Sequence, residues 1–426
     1  MPQLEPDLPS TSPLTAVIIG SGFAGIGMAI ALRKAGITDF IILEKQQDVG
    51  GVWRDNSYPG AACDVPSHLY SFSFEPNPGW TRMFAPQAEI QGYLQHCVRK
   101  YEVARHIRFG AEVQAARFDE ASAQWCVTEV GGRVHRAALL ISATGQLSRP
   151  ALPTFEGMQA FKGQVFHSAN WDHGYSLAGK RVAVIGTGAS AIQFVPAIAD
   201  SVAQLKVFQR SPAYILPRPD RAYSDEEKQL FARRPWRMAL HRAAIYLRYE
   251  ARALGFTRLK GLMKWAVGLP FRRLLNQSVG DPQLRRQLIP DYPIGCKRIL
   301  LSSDYLKTLA RPNVQLITEG IGRIWGWRCR AFPTSSCCMA PIPTWGTTRS
   351  STCWKARYPM SCAAGARCTR LRPPRSKSTS RRSSVFINGY NAAWPDPCGA
   401  GARAGMSTQR ATTAPTGRVS PCPIAG

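Results

Sequence analysis

The sequence predicts an α/β protein with two doubly wound, three-layer units, a helical insertion, and an irregular stretch over residues 325–426. Two observations predict this. The order β-branched strand, glycine-rich turn, helix, strand occurs twice, over residues 16–43 and 181–209, and residues 225–273 carry a helical period. A chain of 426 residues is long enough for two or three domains, each with its own core.

Residues 1–15 are polar and proline-rich with Glu5 and Asp7. They lack the basic start and apolar run of a secretory signal, so a cytoplasmic protein is expected. A β-branched run then ends in Gly20, helix-forming residues follow over 25–35, and a strand over 40–43 completes a βαβ unit. In Gly20-Ser21-Gly22-Phe23-Ala24-Gly25, Gly20 permits the turn and Gly22 lets the backbone approach a pyrophosphate. Gly25 lets helix and strand pack closely, and the helix N-terminus faces the anion. Glu44 ends the next strand, where a carboxylate accepts ribose hydroxyls. Glycines alone often serve only packing. With the strand before, the helix after and Glu44, they read as a Rossmann-like dinucleotide fingerprint. Residues 125–130 and 138–142 read as further strands of this unit, and Ala143-Thr144-Gly145 leads into a crossing marked by Pro150 and Pro153.

The second fingerprint, Gly186-Thr187-Gly188-Ala189-Ser190-Ala191, follows a strand over 181–186 and opens a helix over 189–198. Its next strand, 204–209, ends not in an acid but in Gln209-Arg210-Ser211. An acid there would repel a 2′-phosphate, whereas arginine and a hydroxyl bind one, so NADPH is favoured over NADH. The alternative is that Arg210 is a solvated strand-end charge.

Over residues 225–273, Trp236, Met238, Leu240, Ala244 and Leu247 are expected on one side and arginines on the other. Basic amphipathic stretches can lie on membranes, but a lid or inserted layer over a substrate site is the simpler reading. The best candidate for a membrane span, residues 262–275, is broken by Lys264, Pro270, Arg272 and Arg273, so a soluble protein is expected. The formal charge of +27 invites a nucleic-acid reading, yet Asp396 is the sole acid after Arg330, so much of the excess is local to the tail. Cys63, Cys97, Cys126 and Cys296 are scattered without metal-ligand spacing and are expected to be reduced; the other eight cysteines crowd into the tail. No metal site is expected.

Residues 161–172, Phe161-Lys162-Gly163-Gln164-Val165-Phe166-His167-Ser168-Ala169-Asn170-Trp171-Asp172, stand just before the second unit. They resemble the FxGxxxHxxxW(P/D) signature of Baeyer–Villiger monooxygenases. Flavin-containing monooxygenases that oxidise nitrogen and sulfur have Tyr or Phe where Trp171 stands. Residues 50–64, running from Gly50-Gly51-Val52-Trp53-Arg54-Asp55 to Cys63-Asp64, and then Ser67-His68-Leu69-Tyr70-Ser71-Phe72, resemble a second signature of that family. Lys297-Arg298 resembles its Lys-Arg pair.

The resemblance spans residues 15–324 and implies a flavoprotein oxidoreductase that uses FAD and NADPH. Such an enzyme inserts one oxygen atom of O2 into a small-molecule ketone, through a C4a-peroxyflavin, to give an ester or lactone. It implies that Val52, Trp53, Arg54, Asp55 and Tyr70 line the flavin and that Lys297 holds the 2′-phosphate. Arg298 would be the active-site guanidinium, with Asp64 beside the flavin's reactive edge, holding and tuning it. His167 would act in domain coupling. The implied division is an FAD-binding domain over 1–150, an NADPH-binding domain over 151–215 and 290–324, a helical insertion over 216–289, and the tail over 325–426. An oxygenase of nitrogen or sulfur is the alternative enzyme, and a basic nucleic-acid-binding protein the non-enzymatic one.

After Ile324 the composition becomes rich in Cys, Arg, Ser, Thr and Pro. Reverse-translated and read one base early, residues 337–355 can give LLYGPNTNLGHNSIIYMLE, and residues 411–423 can give GHNSTNWPGFTLP. Both resemble C-terminal motifs of the same family. A frameshift near Trp325, accompanied by a deletion of the strands that close the flavin domain, is therefore expected. An uncovered sheet edge and low stability would follow.

Overall fold

The computed structural model describes residues 14–257, 261, 263–325, 328–330 and 339–340, all within the compact unit Met1–Asn391. The first unit begins with β1 (Leu14–Ile19), α1 (Phe23–Lys34) and β2 (Phe40–Leu43), then α2 (Val52–Asp55) and α3 (Gln87–Lys100). It ends with β3 (Ile107–Arg108), β4 (Val113–Asp119), β5 (Gln124–Glu129) and β6 (Val134–Ser142). The sheet runs β3-β2-β1-β6-β5-β4, parallel from β3 to β6 and antiparallel beyond it. Alternation along β1 explains its burial on both faces. Ala16 and Ile18 pack with Ile26, Ile30, Ile90 and Leu94 of α1 and α3, while Val17 packs on the other face with Leu43, Val127 and Ala137.

The second unit is built from β7 (Arg181–Ile185), α4 (Ala191–Ile198), β8 (Gln204–Phe208) and β9 (Ile215–Leu216). It continues through α5 (Asp225–Arg233), α6 (Pro235–Thr257), α7 (Leu269–Ser278) and α8 (Pro282–Gln287) to β10 (Leu300–Leu301), α9 (Tyr305–Leu309) and β11 (Val314–Ile317). The strand pieces β12 (Arg323–Trp325), β13 (Arg328–Arg330) and β14 (Met339–Ala340) follow. Its main sheet is parallel throughout, in the order β11-β8-β7-β14, and β9 pairs separately with β10.

Two expectations need correction. The few described residues beyond Ile324 are short strand pieces: β13 pairs antiparallel with β12, and β14 adds in parallel to β7. An open strand edge offers unpaired N–H and C=O groups to any segment, whatever its side-chain pattern. The other tail residues, and with them the frameshift reading, lie outside the described residues. On α6, Trp236, Leu240, Ala244 and Leu247 are exposed, and the buried stripe is Met238 and Ile245 with Phe231 of α5. Exposed leucines are ordinary, and of the residues expected to share one side only Met238 is covered, so apolar spacing alone does not tell which of them pack inward. Finally, Cys63, Cys97 and Cys126 are free thiols, but Cys296 is disulfide-bonded. Spatial approach, not sequence spacing, decides that.

The helices dock on the first unit through the 66–72 loop. Arg242 donates from Nη1 to the His68 carbonyl at 2.6 Å and the Ser71 hydroxyl at 3.0 Å. The His68 ring, 3% exposed, meets Tyr223, Phe231 and His241 edge-on at 5.0–5.2 Å. Its Nε2 has no hydrogen-bond partner among the described residues. Burial, followed by His241 and Arg242, holds the imidazole down to about 4 from its usual 6.5. The unfolded chain therefore takes up a proton in that window that the folded chain refuses. Stability is full above 6.5 and declines as the pH falls toward 4, by about 3 kcal/mol. Urea midpoints measured from pH 7 to 4.5 should show this decline, and His68→Asn should flatten it. Parallel profiles for the two proteins would refute the assignment to His68.

Candidate functional site

Two glycine turns face each other at the end of β1. Gly20 has φ +98°, and a Cβ there would lie 2.7 Å from the Ala143 carbonyl oxygen. A Cβ on Gly25 would come within 1.9 Å of the Gly20 carbonyl oxygen. Gly22 is the N-cap of α1, with no side-chain cap, so the first N–H groups of the helix remain open to an anion. Gly50 and Gly51 have φ +124° and +55°, and a Cβ on Gly51 would stand 3.3 Å from Gly22 Cα. The Gly50 N–H donates to the Ser21 carbonyl at 3.0 Å. The result is a backbone cradle that side chains would fill, as a pyrophosphate site requires.

Glu44, 4% exposed, stands beside this cradle. Its Oε2 accepts the Ser21 N–H at 2.9 Å and the Ser21 hydroxyl at 2.7 Å. Its Oε1 accepts the Gln46 N–H at 3.0 Å and lies 3.3 Å from Arg54 Nη1. Burial pushes the carboxyl up, but the Ser21, Gln46 and Arg54 contacts outweigh it, leaving Glu44 below the usual carboxylate range. Arg54 also pairs with Asp55 at 2.7 Å. On the same short helix, which begins at Val52, the Trp53 indole donates to the Tyr70 hydroxyl at 3.0 Å. These residues form one wall beside the cradle, all within the first unit.

In the second unit Gly186 has φ +103°, and Thr187, Gly188, Ala189 and Ser190 lead into α4, whose first residue is Ala191. Lys297 Nζ donates to the Ser211 hydroxyl at 2.7 Å and lies 4.3 Å over the Tyr292 ring, while Thr187 reaches the Ser211 carbonyl at 3.5 Å. Arg210 is exposed at the end of β8. The residues read as a 2′-phosphate site thus converge around Ser211, although Lys297 is far from it in sequence.

Arg298, the next residue, turns instead to the first unit and forms an ion pair with Asp64; their side chains are 53% and 27% exposed. The loop ahead of Asp64 is fastened to the second unit at several points. Ser57 bonds His173 at 2.8 Å, the Tyr58 hydroxyl donates to Gln193 Oε1 at 2.9 Å, and the Gln193 amide binds Ala62. The 161–172 segment packs there too, with the Trp171 ring 5.4 Å from Phe194 of α4. Buried His167 accepts the Ala169 N–H at 3.0 Å through Nδ1. Gln193 and Arg218, whose side chain reaches the Cys63 carbonyl, were missed by sequence reasoning. A polar residue facing inward on α4 was the one available signal for Gln193, and Arg218 had none. Among the described residues, no cluster of His, Cys, Asp and Glu could hold a metal, and no helix is long and apolar enough to cross a membrane.

The family described as flavin-binding monooxygenase-like matches residues 15–242. The chain is 51% identical over 304 residues to a Baeyer–Villiger monooxygenase of Pseudomonas aeruginosa, a match covering 71% of this chain and 58% of that one. It is 48% identical over 309 residues to a Baeyer–Villiger monooxygenase of Streptomyces coelicolor, covering 72% and 59%. The chain therefore spans less than two thirds of the length of these relatives. Among solved structures, OTEMO in complex with FAD and NADP superposes with a TM-score of 0.69 at 29% identity, covering 79% of this chain and 72% of that one.

Proposed function

We propose, because this chain belongs to the flavin-binding monooxygenase-like family, that it is a Baeyer–Villiger monooxygenase, using FAD and NADPH to convert a ketone to an ester or lactone. The observation that carries this reading is the Asp64–Arg298 ion pair, formed between a residue of the first unit and one of the second. Two bound dinucleotides with separate cradles need such a junction if their reactive ends are to meet.

The residues fit the two cofactors. Gly20, Gly22, Gly25, Gly50 and Gly51 form a cradle with no side chain in it, and Glu44 beside it is ionised and can exchange a present contact for a ribose hydroxyl. Trp53 and Tyr70 would border the flavin, and Lys297 and Ser211, with Arg210 at the rim, would hold a 2′-phosphate. FAD, when bound, supplies the redox chemistry: it accepts hydride from NADPH and activates dioxygen. The Arg298 guanidinium can stabilise the negative charge that develops on a carbonyl oxygen when a nucleophile adds to it. Asp64 fixes the direction of that guanidinium. The domain division follows as part of the proposal, with residues 216–289 as a helical layer beside the site.

The test is to incubate the chain, its reading frame beyond Ile324 restored, with FAD, NADPH, a phenyl or cyclic ketone and ¹⁸O2. One labelled oxygen in an ester or lactone is expected. Sulfoxidation of a sulfide without any ester from a ketone panel would overturn the reading in favour of heteroatom oxidation. For the coenzyme, Arg210→Ala should raise the KM for NADPH about tenfold with little change for NADH. One charged hydrogen bond is worth about 1.5–3 kcal/mol, and an exposed side chain sits at the low end. Equal changes for both coenzymes would show that Arg210 is only a solvated charge.

A further inference from the structure

We propose that Arg218, together with Gln193, is a positioning residue for the Asp64–Arg298 pair, fixing where Asp64 stands relative to the guanidinium of Arg298. This rests on the reading of that pair as the reacting site.

The contacts close a circuit through both units. Arg298 leads into β10, whose Leu300 and Leu301 pair with Ile215 and Leu216 of β9. Arg218 lies just beyond β9, and its backbone is bracketed by Ser303, just beyond β10. The Ser303 hydroxyl accepts the Arg218 N–H at 3.1 Å and donates to the Arg218 carbonyl at 3.3 Å. The Arg218 side chain then crosses to the first unit, where Nη2 donates to the Cys63 carbonyl at 3.3 Å and the Phe84 carbonyl at 3.2 Å. Cys63 immediately precedes Asp64, which returns the circuit to Arg298.

The two residues ahead of Asp64 are held at every backbone polar group. Gln193 Oε1 accepts the Ala62 N–H at 3.4 Å, and its Nε2 donates to the Ala62 carbonyl at 2.9 Å. The Cys63 N–H donates to the Ala85 carbonyl at 3.0 Å, which leaves the Cys63 carbonyl to Arg218. The Arg218 side chain is 19% exposed, and its Nε has no partner among the described residues. An apolar side chain would fill that space without leaving an N–H unsatisfied. What the guanidinium adds, besides an ion pair with Asp220 at 4.0 Å, is a hold on two carbonyls of the other unit.

Cys63 itself reports on the loop. It is 3% exposed, and burial pushes its thiol up to about 12, so it reacts only when the loop opens. Alkylation of Cys63 in the full chain, followed by peptide mass spectrometry, should quicken about tenfold or more in Arg218→Met. Arg298→Met should quicken it as well, and the double variant should be no faster than the faster single one. Unchanged protection in Arg218→Met, or effects that multiply in the double variant, would overturn the proposal. Arg218→Lys, which keeps the charge but not the fork, enters the same cycle if the Met variant does not fold.

Where ketone oxygenation is measured, Arg218→Met should lower the ester formed per NADPH about fivefold, leaving the rate of NADPH oxidation within about twofold. A released Cys63 with an unchanged ester yield would reduce Arg218 to packing and also overturn the proposal. If the unmutated chain makes no ester, the functional reading fails by itself, and the alkylation cycle still decides the role of Arg218.

Discussion

Gly25→Ala is expected to abolish FAD retention and lower stability by about 3 kcal/mol or more. The new methyl would sit 1.9 Å from the Gly20 carbonyl oxygen. Both colliding groups belong to backbone, so no side chain can swing aside, and either α1 must lift from β1 or the turn must open. Such overpacking costs about 1–3 kcal/mol in an adaptable core and more where nothing yields. Gly22 makes the instructive contrast, because its added Cβ would meet only Gly51 Cα at 3.9 Å. Gly22→Ala should fold with a melting temperature close to that of the unmutated chain. Gly22→Leu should also fold but fill the cradle and lose the yellow flavin absorbance. Thermal unfolding and flavin spectra on the three variants separate the cases. A stable, flavin-loaded Gly25→Ala protein would mean that the close approach of helix and turn is not required.

These turns were the most legible part of the chain. Positive φ and close backbone approach can be met by few residues other than glycine, so Gly20, Gly25, Gly50 and Gly51 advertise their geometry in one dimension. The strand at β1 and the helix at α1 were equally plain, because period and composition agreed there. The outer face of α6 was not: Trp236, Leu240 and Leu247 have the right spacing for a core stripe, and only tertiary contact shows that Met238 and Ile245 are the ones covered. The candidate site was half legible. Asp64 and Arg298 were recognisable from their motifs, but the hold that Arg218 places on Cys63 joins residues 155 positions apart. Nothing local to either residue encodes such a contact, since it depends on how the β9–β10 pair meets the loop of another unit.

Arg298→Ala should separate consumption of NADPH from delivery of oxygen to the ketone. Loss of the ion pair with Asp64 is tolerable for the fold, since the two side chains are 53% and 27% exposed. A pair in that setting contributes about 0–1 kcal/mol. Arg298 lies outside both glycine cradles, so FAD should still bind and hydride should still pass to it. What disappears is the fixed cation offered to the carbonyl oxygen. Removing one preorganised donor to a developing oxyanion typically costs about 10²–10³ in rate. Ester formation should therefore fall by about that factor or more, while NADPH is still oxidised and its electrons appear as hydrogen peroxide. Arg298→Lys should recover little, because an ammonium cannot reproduce the guanidinium fork that Asp64 now orients. The checks are ester by gas chromatography, NADPH by absorbance and peroxide by a coupled assay on one set of samples. Ester formed at the unmutated rate by a folded, flavin-loaded Arg298→Ala protein would remove Arg298 from the reaction. A parallel fall in NADPH oxidation and ester would instead place its role at flavin reduction.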